Sequence, residues 1–133
     1  MVLTKPYVLI NAVDLSSKVR SVDLSDDIDI LDATAGNAAG AKSVEGGLTS
    51  WSATITFLQD YTGGSVDATL FAAHGTLVSC EFRGKTDAVS ATNPKFTGTA
   101  LVKYDKPIGG QVGQELETTV TLTGSGALAR ATS

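Results

Sequence analysis

The chain is predicted to be an all-β domain carrying a single short helix, and three observations predict it. The first is strict two-residue alternation: in WSATITF, Trp51, Ala53, Ile55 and Phe57 fall on one side, with Ser52, Thr54 and Thr56 on the other. Alternating β-branched and aromatic residues of this kind mark a half-buried strand. The second is a change of period after Gly63-Gly64, where Val66, Leu70 and Ala73 recur at helical spacing before alternation returns at Val78, Cys80 and Phe82. The third is composition. Gly, Thr, Ser, Val and Ala dominate the 133 residues, long helix formers are few, and the length suits one domain with one core.

In chain order, residues 1–6 read as a loose leader and residues 7–13 as a first strand. Residues 18–24 alternate again, and the pattern continues through Ile28 and Ile30, giving one long strand or two with a bend near Ser25. On this pattern Ile28 and Ile30 point inward, while Asp27 and Asp29 face solvent, where carboxylates discourage edge-to-edge pairing. Residues 32–47, DATAGNAAGAKSVEGG, then break the pattern with small residues and a single large apolar side chain, Val44. Unpatterned loops longer than roughly 12–15 residues are uncommon in compact domains and often functional. The segment therefore reads as an arm ordered against a partner, with Asp32, Ala33, Thr34, Lys42, Ser43, Val44 and Glu45 as its candidate contact residues.

After the alternating strand 51–57, Ser65 is placed to cap a helix over residues 65–74, with Asp67 in the first turn and Gly75 as the stop. His74 at its end can meet the last carbonyls. Trp51, Ile55, Phe57, Leu70, Phe71 and Phe82 are the large apolar anchors, each worth roughly 1.5–3 kcal/mol on full burial. Residues 85–94 form a polar loop, residues 96–104 a strand and residues 107–113 a wide turn. The last main strand spans 115–123, with Leu116, Thr118, Val120 and Leu122 inward, and the tail beyond it can go on pairing or fray.

Several functions are disfavoured. Ten basic against fourteen acidic residues leave a net charge of −4, a poor balance for gripping nucleic acid through its phosphates. No apolar run approaches the roughly 20 residues that span a bilayer, and the YVLI run is too short for a secretory signal. The lone Cys80 rules out an internal disulfide and reads as a small buried hydrophobe. One histidine and one cysteine do not make a zinc site. The acidic run DLSDDIDILD lacks EF-hand spacing, and neither a nucleophile elbow nor a phosphate loop occurs. The residues assign no catalytic group, no metal and no cofactor.

Three stretches carry a resemblance: YVLINAVDLSSKVRSVDL, GGLTSWSATITFLQDYTGGSVDATLF and SATNPKFTGTALVKYDKPIGGQVGQELETTVTLTGSG. Together they resemble the small major tail proteins, or tail tube proteins, of long-tailed bacteriophages that infect actinobacteria. The resemblance implies a tail-tube-like β-sandwich or barrel with one short flanking helix and a long inter-subunit loop. It further implies a homo-oligomer: hexameric rings stacked into a hollow tube, in a virion made in the host cytoplasm. Tape measure and tail terminator proteins would be partners, genomic DNA would pass through without specific binding, and no membrane is involved. Without an appended immunoglobulin-like domain the chain would be a minimal member of its class. Two outward strips lacking Lys and Arg have the chemistry of a DNA conduit: Ser52, Thr54 and Thr56, and Glu117, Thr119, Thr121 and Thr123. The resemblance makes them candidates for the lumen wall, with the helix outside. A head-decoration or connector protein of the same virion would share this composition. A monomeric carbohydrate-binding module would need an exposed aromatic platform.

Overall fold

Asn11 and Ala12 both adopt positive φ, 51° and 64°, and this pair of left-handed residues turns the chain back on itself. The predicted first strand is thereby split into Tyr7–Ile10 (β1) and Val13–Asp14 (β2), joined by a tight hairpin with Ile10 opposite Val13. The computed structural model describes residues 2–34, 36 and 40–133. A 3-10 turn at Ser16–Lys18 leads into Val19–Asp32 (β3), Val44–Leu58 (β4), the helix Val66–Ala73 (α1), Leu77–Arg83 (β5), Lys95–Tyr104 (β6) and Glu117–Ala131 (β7). The strands form one antiparallel sheet of seven in the order β2-β1-β5-β6-β7-β4-β3. The all-β class with one helix is as the alternation predicts, and the tail does go on pairing, since β7 reaches Ala131.

The sheet curls. Val22 and Leu24 of the edge strand β3 line a common cleft with Phe82 of β5 and Phe96 of β6, although β7 and β4 lie between β6 and β3 in the sheet. The result is barrel-like but open, because its two edges, β2 and β3, do not pair. The concave side is the core: Val8, Ile10, Ile55, Phe57, Val102, Val120 and Leu122 are buried, and α1 closes over them with Val66, Leu70 and Ala73.

Two irregularities explain how long strands keep their apolar residues on that side. Val19 pairs with Phe57 and Ser21 with Thr56, so Arg20 is an extra residue on β3. Through this bulge Val19, at an odd position, and Val22 and Leu24, at even ones, all pack on the core. A second shift, between Ile28 and Ile30, adds a residue to β4 instead, because Ile28 pairs with Thr49 and Ile30 with Gly46.

Several expectations need correction. Ile28 and Ile30 share the concave side with Leu24, yet they are 47% and 72% exposed, because the strand there has run past the core. Phe71 is 71% exposed and anchors nothing. It lies one residue beyond Leu70, about 100° round the helix, and so points away from the sheet. The long loop is shorter than expected, because Asp32 ends β3 and residues 44–47 begin β4. Ser65 has the extended backbone of a cap residue, but its side chain makes no capping bond to the helix. Its Oγ donates to Asp60 Oδ2 at 2.9 Å, while the Asp67 N–H donates to the Asp60 carbonyl at 3.1 Å. His74 does not bind the helix carbonyls; its Nδ1 accepts the Tyr104 N–H at 2.9 Å.

Asp60 is therefore a hub for the β4–α1 connection. It accepts the Thr62 N–H at 3.0 Å and the Ser65 hydroxyl, and Lys18 Nζ lies 3.4 Å away. These donors, the Thr62 backbone first, hold its carboxyl well below the usual aspartate range. A carboxylate whose folded value is depressed stabilises the fold above its unfolded value of about 3.9, and that contribution is lost as pH falls toward the folded value. Asp60→Asn should thus flatten the acid limb of a stability–pH profile below about pH 4. An unchanged acid limb in urea titrations would contradict this role.

Cys80 is buried on the concave side, where burial pushes its thiol up to about 11. The thiolate is the reactive form, so a thiol reagent at pH 8 should label the folded protein far more slowly than the urea-unfolded chain. Equal rates would contradict the face assignment.

Candidate functional site

The distinctive features of this domain are surfaces. The first is a ribbon. β4 pairs with β7 only from Ser52 to Leu58, so residues 44–51 have β3 as their sole partner strand, and beyond the buried Trp51 residues 44–50 project with residues 27–32 past the core. At about 3.4 Å per residue the ribbon extends on the order of 20 Å. It carries the exposed side chains of Ile28, Ile30, Leu31, Val44 and Leu48. An isolated two-stranded ribbon is marginal in water, and clustered exposed apolar residues mark an interaction surface.

Of the predicted arm residues, the structure gathers Asp32, Ala33, Thr34 and Ser43 at the neck of the ribbon tip. The Ala33 N–H donates to the Ser43 carbonyl at 2.9 Å, and the Ser43 N–H to Thr34 Oγ1 at 2.9 Å. The Thr34 N–H donates to Asp32 Oδ1 at 3.0 Å and, with the Thr34 side chain second, lowers the Asp32 pKa. Lys42, Val44 and Glu45 are exposed beside them. Ala35, Asn37, Ala38 and Ala39 of the expected arm lie outside the described residues.

The second surface is the convex side of the sheet. The two hydroxyl strips, more than sixty residues apart in sequence, are direct neighbours: Ser52 pairs with Thr123, Thr54 with Thr121, Thr56 with Thr119 and Leu58 with Glu117. Thr56 and Thr119 place their hydroxyl oxygens 3.4 Å apart. β3 extends the same face with Ser21, Asp23 and Ser25, opposite Thr56, Thr54 and Ser52. On the other flank, β6 adds Lys103 opposite Thr121, a cation that the strip-by-strip reading did not include. It pairs with Asp105 at 3.7 Å. The core and α1 occupy the opposite side of the sheet.

At the end of the domain away from the ribbon, the connection 105–116 is held by side chains. Tyr61 Oη and Gln59 Nε2 donate to the Pro107 carbonyl at 2.6 and 2.7 Å, and Thr118 Oγ1 to the Lys106 carbonyl at 2.7 Å. Gln59 Nε2 also donates to Tyr104 Oη at 2.7 Å, and that hydroxyl donates to Asp67 Oδ1 at 2.8 Å, linking the loop to α1. Burial is the leading cause that raises the Tyr104 phenol to about 12.

Among the described residues no cluster of three or more His, Cys, Asp or Glu side chains could hold a metal ion. No helix is long and apolar enough to cross a membrane. Trp51 is 3% exposed and offers no stacking platform for a sugar.

The fold and its surfaces define a class: an open, curled antiparallel sheet with one helix on its concave side, a projecting ribbon and a hydroxyl-lined convex face. No family model matches the chain, and no curated protein matches it. Solved structures do. A chain from the virion of a native gene transfer agent particle matches with a TM-score of 0.66 and 16% identity, over 93% of this chain and 95% of that one. A chain from the tail of an empty gene transfer agent particle, refined helically with C6 symmetry, matches with a TM-score of 0.60 and 15% identity, over 84% and 81%. The chain shares the fold of these virion and tail proteins.

Proposed function

We propose that this protein is a structural virion protein, the tail tube (major tail) protein of a long-tailed bacteriophage. Six copies form a ring, and rings stack into the conduit for genome DNA. The observation that carries the reading is the near full-length fold match to chains of a virion and of a tail, the latter solved with six-fold symmetry. The three stretches quoted above point to the phages of actinobacteria. Tape measure and tail terminator proteins would be its partners inside the tube and at its end. In this reading the ribbon is the arm that reaches a copy in the adjoining ring, so that its exposed apolar side chains are covered only on assembly. The convex hydroxyl face lines the lumen and α1 lies outside.

Such a wall suits a conduit. Duplex DNA carries a charge every ~1.7 Å, and each added cation strengthens its hold through counterion release. Thr54→Lys and Thr119→Lys, in virions that still assemble, should slow DNA ejection, whereas ejection at the parental rate from intact tails would exclude this face from the lumen. The assembly itself is tested by light scattering and electron microscopy of the purified chain at rising concentration. Ring-built tubes are expected, and a monomer at every concentration would overturn the reading.

A further inference from the structure

An apolar groove opens at the ribbon end of the domain. Leu3, Val22, Leu24, Phe82 and Phe96 line one part of it, and Leu24, Asp26, Phe96, Leu128 and Arg130 line an adjoining cleft of ≈ 410 Å³. The two parts share Leu24 and Phe96, so they form one trough between the concave faces of β3 and of the β6–β7 pair. Arg130 stands opposite Phe96 at its rim. Among the described residues no carboxylate comes within 4.0 Å of the Arg130 guanidinium. Beyond the trough, Asp26 and then Ile28 follow Leu24 on the same side of β3.

The opposite pole presents the converse shape. There the connection 105–116 projects Ile108, 79% exposed, and a fully exposed Val112. The hydrogen bonds from Gln59, Tyr61 and Thr118 anchor its base, and a turn from Gln111 to Gln114 shapes its tip. Glu115, exposed beside that turn, joins no ion pair among the described residues.

The geometry points to a head-to-tail contact between copies of this chain, in which the 105–116 knob of one copy seats Ile108 and Val112 in the Leu24–Phe96–Leu128 trough of the next. Three observations favour a second copy as the occupant. The concave and convex apolar features lie at opposite poles of the same molecule, so one heterologous contact, where its rotation does not close a ring, repeats along an axis. Arg130, which has no carboxylate within 4.0 Å among the described residues even though Asp26 shares its cleft, is offered a partner by Glu115 at the knob. The trough also lies on the same side of β3 as Ile28 and Ile30 of the ribbon, so arm and trough face the same neighbour. The inference rests on the stacking subunit proposed above and names the surface that receives each copy.

The experiment uses the purified full-length chain. Val112→Cys and Leu128→Cys are combined in one protein, with Cys80 buried and unreactive, and a short bismaleimide is added after assembly. A ladder of covalent oligomers is expected from the double variant, and none from either single variant. Val112→Asp should raise the concentration needed for assembly at least tenfold while leaving the circular dichroism unchanged. Arg130→Glu should do the same, and Arg130→Glu combined with Glu115→Arg should restore assembly. Tubes that form without the ladder, or that form normally with Val112→Asp, overturn this contact and leave the tube reading standing. Absence of any ordered polymer from the parent chain overturns both.

Discussion

Replacing residues 28–49 by Asn-Gly, so that a tight turn joins Asp27 to Ser50, should leave a folded monomer that no longer polymerises. Asp27 and Ser50 already face each other in the β3–β4 ladder, and Asn-Gly supplies the two positive-φ residues that such a turn requires. The core lies elsewhere: Val22, Leu24, Trp51 and Ala53 are retained, and among the described residues the excised segment contributes no buried side chain. Unfolding free energy should therefore stay within about 1 kcal/mol of the parent, as for changes that spare the core. Ile28, Ile30, Leu31, Val44 and Leu48, all exposed in the single chain, are lost together, and with them the surface proposed above to be covered on assembly. Sedimentation checks both halves of the expectation. A shortened protein that still forms polymers at the parental concentration would show that the ribbon is not the bridge.

Gly124→Ala should strongly destabilise the core. Trp51, 3% exposed, meets Phe82 edge-on at 6.3 Å between ring centroids. Its other side is laid against the backbone of two glycines. A Cβ at Gly98 would come within 2.6 Å of Trp51 Cζ2, and one at Gly124 would collide with three atoms of the indole. The indole lies between these glycine backbones and Phe82, and overpacking of this kind costs about 1–3 kcal/mol or more, a large part of the roughly 5–15 kcal/mol that holds a domain together. Urea titration followed by the emission of the single tryptophan measures the loss directly. Trp51→Phe in the Gly124→Ala background should recover part of it, since a smaller ring leaves room for the methyl group. A Gly124→Ala protein within about 0.5 kcal/mol of the parent would contradict this packing.

These glycines show where the sequence stops being legible. Period two placed Trp51, Ala53, Ile55 and Phe57 on the core side, and the structure buries all four. Nothing in that pattern says that Trp51 needs Gly98 and Gly124 beneath it, because both strands lie far away in the chain. The same holds for the hydroxyl strips. Each is readable as an outward face, but the pairing of Ser52, Thr54 and Thr56 with Thr123, Thr121 and Thr119 is a tertiary fact. Alternation also carries no measure of where the core ends, so Ile28 and Ile30 have the parity of core residues and the exposure of an arm. Residues 44–47 looked unpatterned because Gly46 and Gly47 sit beside a bulge, which shifts the parity of the residues before Leu48. The knob at 107–113 reads only as a wide turn, since exposure of Ile108 and Val112 is settled by what the rest of the fold leaves uncovered.

A cryo-electron microscopy helical reconstruction of the assembled protein tests whether six copies build a hollow tube with the hydroxyl face inward. Stacked six-fold rings are expected, with Ser52, Thr54, Thr56, Thr119, Thr121 and Thr123 on the lumen wall and α1 on the outer surface. A filament without a lumen, or a tube with α1 lining its interior, would contradict that arrangement.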